Sequence, residues 1–131
     1  MTIYILSSLK MTGRKPSVQH STATPFSLYQ GGLPPKDRVL TAGARASVDI
    51  GKIKEKYGDR LVLIGNISVD NLAEKERSDI RDEVRNCIKI ASPGGGHILS
   101  SSNSWAAGAK LENCLTLVET GRRCGIYPIK V

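Results

Sequence analysis

Leu61-Val62-Leu63-Ile64 is an unbroken apolar run closed by Gly65-Asn66. A strand with one face in water alternates apolar and polar residues, whereas an unbroken run suits a parallel strand covered on both faces. Parallel strands need helical crossovers between them, and the flanking sequence supplies helices. Over residues 48–57, Ile50, Ile53 and Tyr57 stand at helical spacing, with Gly58 as the stop. Beyond the strand, a polar link leads to a helix predicted over 79–91. There Ile80, Val84, Cys87, Ile88 and Ala91 form one apolar stripe. Pro93-Gly94-Gly95-Gly96 ends that helix, and His97-Ile98-Leu99-Ser100-Ser101 reads as a second strand. A loop over 103–108 precedes a last helix over 111–121, with Leu111, Leu115 and Val118 on one face. The alternation predicts an α/β fold with parallel strands. Two such strands alone would leave both outer edges unpaired, so the pattern points to a place within a larger sheet.

The first third is different. Residues 1–46 carry six basic residues and one acid, Asp37, whereas residues 47–131 carry thirteen basic and eleven acidic residues. Most of the net charge of +7 therefore lies ahead of Ser47, and the remainder has the mixed charge of an ordinary enzyme surface. Pro16, Pro25, Pro34 and Pro35 interrupt this first segment. It shows no sustained period: residues 3–7 are predicted as one short strand, residues 30–35 as a loop, and the rest as irregular. Its Ser-rich, acid-poor composition also fits a transit peptide, although no basic amphipathic helix is visible. Aromatic residues make up 5% of the chain, too few for base-stacking platforms, and no nucleic-acid motif is present. Three cysteines without a close pair predict a reducing, cytoplasmic setting. No apolar run approaches the roughly 20 residues that span a bilayer, so no membrane association is expected.

The chemistry-bearing candidates sit where the strands end. Asn66 and Ser68 follow the first strand, and Ser101, Ser102, Asn103 and Ser104 follow the second. In a parallel barrel the C-terminal strand ends line the active site. Ser and Asn also form turns readily, and spacing alone does not separate the two readings. The glycine run invites a phosphate-loop reading, but phosphate loops join a strand to a following helix, and here the order is reversed. It reads better as a helix stop. His97 lies at the opposite end of its strand from these candidates and is expected to be structural or exposed; Cys87 and Cys114 read as core residues. No cysteine pairs with a histidine at zinc-like spacing, so no metal site is expected.

The stretch Gly51-Lys52-Ile53-Lys54-Glu55-Lys56-Tyr57-Gly58-Asp59-Arg60-Leu61-Val62-Leu63-Ile64-Gly65-Asn66 resembles the segment entering the seventh barrel strand of the uroporphyrinogen decarboxylase family. Ile80-Arg81-Asp82-Glu83-Val84-Arg85 resembles the following helix. Pro93-Gly94-Gly95-Gly96-His97-Ile98-Leu99-Ser100-Ser101-Ser102-Asn103-Ser104 resembles the eighth strand and its loop, and Glu112-Asn113 the start of the final helix. The resemblance covers residues 47–129. It implies a partial (β/α)₈ TIM barrel, consisting of the last two strand–helix units behind an irregular N-terminal third.

For function, the resemblance implies cofactor-free removal of acetate carboxyl groups from a tetrapyrrole. A related branch transfers methyl groups between a corrinoid and a thiol, using zinc held by His and Cys. The substrate would be a tetrapyrrole or a corrinoid-linked small molecule, with Asn66, Ser68, Ser101, Ser102, Asn103 and Ser104 as candidate contacts. The decarboxylases' substrate-binding arginines and catalytic aspartate belong to the N-terminal part of the barrel, which has no counterpart in this sequence. A full barrel needs about 250 residues, so the 131-residue chain is expected to be inactive alone, with another chain supplying the missing strands, or to be a non-enzymatic remnant. In the loop after the eighth strand, decarboxylases carry a histidine and zinc methyltransferases a cysteine. Asn103 stands there, and an amide neither titrates like imidazole nor binds zinc like thiolate. Ser68 stands where many family members have Asp.

Overall fold

The computed structural model describes residues 5–6, 17–19, 38–41, 49–59, 61–105 and 107–129. Its elements, in chain order, are strands β1 (Ile5–Leu6), β2 (Ser17–Gln19) and β3 (Arg38–Thr41), then α1 (Ile50–Tyr57), β4 (Leu61–Ile67), α2 (Val69–Glu74), α3 (Arg77–Ala91), β5 (His97–Ser101) and α4 (Leu111–Cys124). The sheet order is β1-β5-β4-β3-β2. Strands β2 to β5 run parallel, and β1 pairs antiparallel with β5.

Local sequence explains most of these boundaries. The Asp49 carboxylate caps α1 by accepting from the Gly51 and Lys52 N–H groups at 2.9 and 3.3 Å. Gly58 ends the helix where a Cβ would come within 2.3 Å of the Lys54 carbonyl oxygen, so only glycine fits. Asp79 accepts from the Glu76 N–H at 3.2 Å, which starts α3 two residues ahead of the predicted position. The stop predicted at the glycine run is present: Gly94 and Gly96 take φ of 76° and 72°, the left-handed region that glycine enters without penalty.

The two faces of the sheet differ. Leu61, Leu63, Ile67 and Leu99 join Ile50, Ile53, Leu72, Ile80, Val84, Cys87, Ile88, Ala91 and Leu117 in the main core beneath the helices. Val62 and Ile98, with Ile64 against them, form a second, smaller cluster. The unbroken apolar run is thus the sequence of a strand with apolar neighbours on both faces.

Four expectations need correction. Strand β4 does not stop at Gly65-Asn66 but continues to Ile67, because β5 pairs beside it through Gly65–Leu99, Asn66–Ser100 and Ile67–Ser101. The polar link holds the short helix α2, which buries only Leu72 and is too brief to show a period. The first third, read as irregular apart from residues 3–7, contains β2 and β3 as well as β1; runs of three and four residues carry no detectable alternation. The loop predicted at 30–35 lies outside the described residues. Finally, the core side of α4 is not the Leu111–Leu115 side. Those leucines are 71% and 52% exposed, while Asn113, Cys114, Thr116, Leu117, Thr120 and Gly121 are buried. Val118 is half-buried against the main core. Small residues let α4 lie close to its neighbours, and the Thr116 hydroxyl is satisfied by donating to the Glu112 carbonyl at 2.7 Å.

Candidate strand-end site

Parallel pairing in register brings the ends of β4 and β5 side by side. Asn66 stands opposite Ser100, and Ile67 opposite Ser101. The Ser102 N–H continues the pairing by donating to the Ile67 carbonyl at 2.7 Å. The candidates therefore gather at the C-terminal ends of two neighbouring inner strands. Beyond β5 the chain turns sharply. The Ser101 hydroxyl donates to the Asn103 carbonyl at 2.7 Å, and the Asn103 side-chain oxygen accepts from the Ser104 N–H at 2.7 Å. Asn103 and Ser104 are exposed, Ser102 is half-buried, and Ser101 is buried. Asn103 keeps its amide N–H₂ group for donation outward.

Ser68 has a structural task as well. It caps α2, its hydroxyl accepting from the Asn71 N–H at 3.3 Å. Glu83 on α3 braces the same turn: one carboxylate oxygen accepts from the Ser68 N–H at 2.8 Å, the other from the Asn71 side-chain amide at 2.9 Å. An anion-binding reading of this turn fails, because the Glu83 carboxylate already fills the amide-lined position where an anion would sit.

The far end of α2 is fastened to α4. The Lys110 N–H donates to the Leu72 carbonyl at 3.0 Å. The Asn113 amide donates to the Leu72 and Lys75 carbonyls at 3.1 and 2.9 Å. Lys110 Nζ adds bonds to the Glu74 and Lys75 carbonyls at 3.5 and 3.2 Å. A cation and an amide thus satisfy carbonyls that a helix leaves open at its C-terminus. Asn113 Oδ1 is buried without a partner. Sequence reasoning assigned no role to Glu83, Lys110 or Asn113. The available signal was Ser68 ahead of Val69-Asp70, a cap followed by an acid in the first turn.

Behind the strand ends lies a buried polar cluster. His97 Nε2 is 2.8 Å from the Gly65 carbonyl oxygen, and Nδ1 is 2.8 Å from the Ser92 hydroxyl. Cys87 Sγ is 3.5 Å from the Gly65 carbonyl oxygen, 3.7 Å from Asn66 Oδ1 and 3.8 Å from His97 Nε2. Burial pushes the Cys87 thiol up to about 11, with the charge of Glu83 adding to the shift and a backbone hydrogen bond at Asn66 opposing it. Burial holds His97 below its ordinary value, opposed by the Gly65 carbonyl and reinforced by Lys54. Both expectations for these residues allowed a structural place, and the structure puts both in the interior.

These residues do not suit the zinc that the methyl-transferring branch would need. Both ring nitrogens of His97 are engaged, by the Gly65 carbonyl and the Ser92 hydroxyl, and apart from Cys87 the strand-end groups are neutral oxygens and amides, poor partners for zinc beside thiolate or imidazole. Among the described residues, no three of His, Cys, Asp and Glu are grouped to hold a metal ion. What the strand ends can do is donate and accept hydrogen bonds; at neutral pH, Asn66, Ser68, Ser101, Ser102, Asn103 and Ser104 carry no charge. Among the described residues, no helix is long and apolar enough to cross a membrane.

The family model described as uroporphyrinogen decarboxylase (URO-D) matches residues 35–124, a span that begins ahead of Ser47 and takes in β3. Among solved structures, a methyltransferase from Methanosarcina mazei is similar with a TM-score of 0.56 and 24% identity, a likeness of fold. The similarity covers 67% of this chain and 25% of that one, so the chain spans about a quarter of its structural relative. No curated protein matches the sequence.

Proposed function

The chain belongs to the uroporphyrinogen decarboxylase family, and from that membership we propose that it supplies the substrate-facing ends of two barrel strands for decarboxylation of a tetrapyrrole, and is inactive alone. The observation that supports this reading is the adjacency of the β4 and β5 ends, which brings Asn66 beside Ser100 and Ser101, with Ser68 following the one strand and Ser102, Asn103 and Ser104 the other. In such a reaction the bond between the acetate methylene and its carboxyl carbon breaks and carbon dioxide leaves. The electron pair stays on the methylene carbon, conjugated with the pyrrole, and a proton must reach that carbon. Ser and Asn can orient a substrate by hydrogen bonding. They cannot neutralise its carboxylates, which need paired cations when desolvated, and they cannot serve as the tuned acid. Those tasks fall to strands that this sequence does not match.

An anaerobic assay of the purified chain with uroporphyrinogen is expected to give no turnover. Turnover by the chain alone would refute the claim that it needs further barrel strands. Turnover restored by a polypeptide carrying the earlier strands, and reduced by Asn103→Ala, would support the site assignment. The competing reading is methyl transfer between a corrinoid and a thiol. It is favoured by the kinship in fold with a protein named as a methyltransferase. The same restored mixture, given methylcobalamin and coenzyme M, separates the two. A third reading, a non-enzymatic remnant, gains if neither mixture reacts.

A further inference from the structure

We propose that His97 is a positioning residue for the β4 end that carries Asn66, acting as the neutral Nε2–H tautomer. This inference rests on the reading that this strand end faces substrate. The tautomer follows from the two partners. A carbonyl oxygen only accepts, so the nitrogen 2.8 Å from the Gly65 oxygen must bear the proton. In the neutral ring, which burial favours, the other nitrogen is an acceptor, and the Ser92 hydroxyl donates to it at 2.8 Å.

The ring thereby joins three elements at one point. Ser92 caps the end of α3. His97 opens β5. Gly65 lies within β4 immediately before Asn66, and it has no side chain of its own with which to anchor the peptide. The Ser92 carbonyl is held in turn by the Tyr127 hydroxyl, which donates to it at 2.6 Å, so the fastening does not end at a loose group. Cys87 from α3 and the Gly65 carbonyl from β4 stand against the ring, and the charge of Lys54 on α1 acts on it. A histidine at the N-terminal end of one strand thus governs the C-terminal end of its neighbour. The two lie on different strands, so spacing along the sequence does not reveal the connection.

The test uses the full chain, isotopically labelled, and needs no ligand. Imidazole nitrogen spectra of the wild type should show the Nε2–H tautomer at neutral pH. His97→Gln keeps an N–H donor at the ε position and should leave the Asn66 resonances and the amide exchange of residues 65–67 close to wild type. His97→Leu fills similar space without a donor and should speed exchange at 65–67 by about tenfold, the consequence of one lost hydrogen bond, while exchange in the middle of α3 changes far less. An Nδ1–H tautomer or a charged ring at neutral pH would overturn the proposal. So would a folded His97→Leu chain with unaltered exchange at 65–67. If that variant fails to fold, the tautomer and the His97→Gln spectra still decide. Because no substrate enters these measurements, they can fail while the functional reading stands, and the reverse.

Discussion

His97 ties acid stability to a single interior residue. Its folded pKa lies below the ordinary value of 6.5, so in the interval between the two the unfolded chain binds more protons than the folded one. Stability from keeping His97 neutral is fully present above about pH 6.5 and is lost as pH falls through the folded value. Urea melts from pH 7.5 to 5 should show that slope, and His97→Gln should flatten it; an equal slope in both proteins would assign the effect to other groups. Asn113 matters through hydrogen bonds instead. Its buried amide donates to two carbonyls at the end of α2. Asn113→Leu removes both donors, and Lys110 offsets part of the loss by bonding the same carbonyls. The expected cost is about 2 kcal/mol in a urea melt. A cost below about 0.5 kcal/mol would mean that the amide holds nothing that Lys110 does not hold already. The sequence names Asn113 only as part of a family pair, because a buried amide is recognised by its three-dimensional partners and not by any period.

Helix α4 shows how an apolar period misleads at the scale of an element. Leu111, Leu115 and Val118 make the conspicuous stripe, yet the helix packs largely through Asn113, Cys114, Thr116, Leu117 and Gly121. Close packing against neighbouring helices selects small residues, and a count of leucines does not register them. Leu117→Ala should therefore cost about 2–5 kcal/mol, while Leu115→Lys should change stability by less than about 0.5 kcal/mol. The reverse order in denaturant melts would place the core on the other side. Helix α3 was legible almost in full, since fifteen residues carry four turns of stripe. Helix α2, with six residues and one buried side chain, was not. Its dependence on Glu83 is testable: Glu83→Ala should accelerate amide exchange across 69–74 by at least about tenfold, because it removes two hydrogen bonds to a carboxylate. Unchanged exchange would show that the Ser68 cap alone suffices.

For the molecule as a whole, the alternation of helices with strands announced parallel β–α units, and the order of motifs announced the family. The short strands of the first third were hidden because a strand of two to four residues is defined by the partner it pairs with. Strand β3 pairs along four residues of β4, from Arg38–Leu61 to Thr41–Ile64. A protease-resistant core should accordingly begin ahead of Arg38, and the mass of the stable fragment reports it. A core beginning near Ser47 would mean that the change in composition marks the boundary and that β3 adds little. The candidate site was legible only as a run of short polar residues; register, Glu83 and His97 give it shape, and none of these is visible in spacing. The central question is whether the β4 and β5 ends meet substrate. Uroporphyrin, the oxidised and stable counterpart of the family's substrate, can be titrated into the labelled chain while amide shifts are followed. The basic first third will attract eight carboxylates nonspecifically, an effect that 0.3 M salt should largely screen. At that salt, persistent shifts are expected at Asn66, Ser68, Ser101, Ser102, Asn103 and Ser104; shifts confined to residues 1–46, or to the exposed side of α4 around Leu111 and Leu115, would contradict a substrate-facing role for these strand ends.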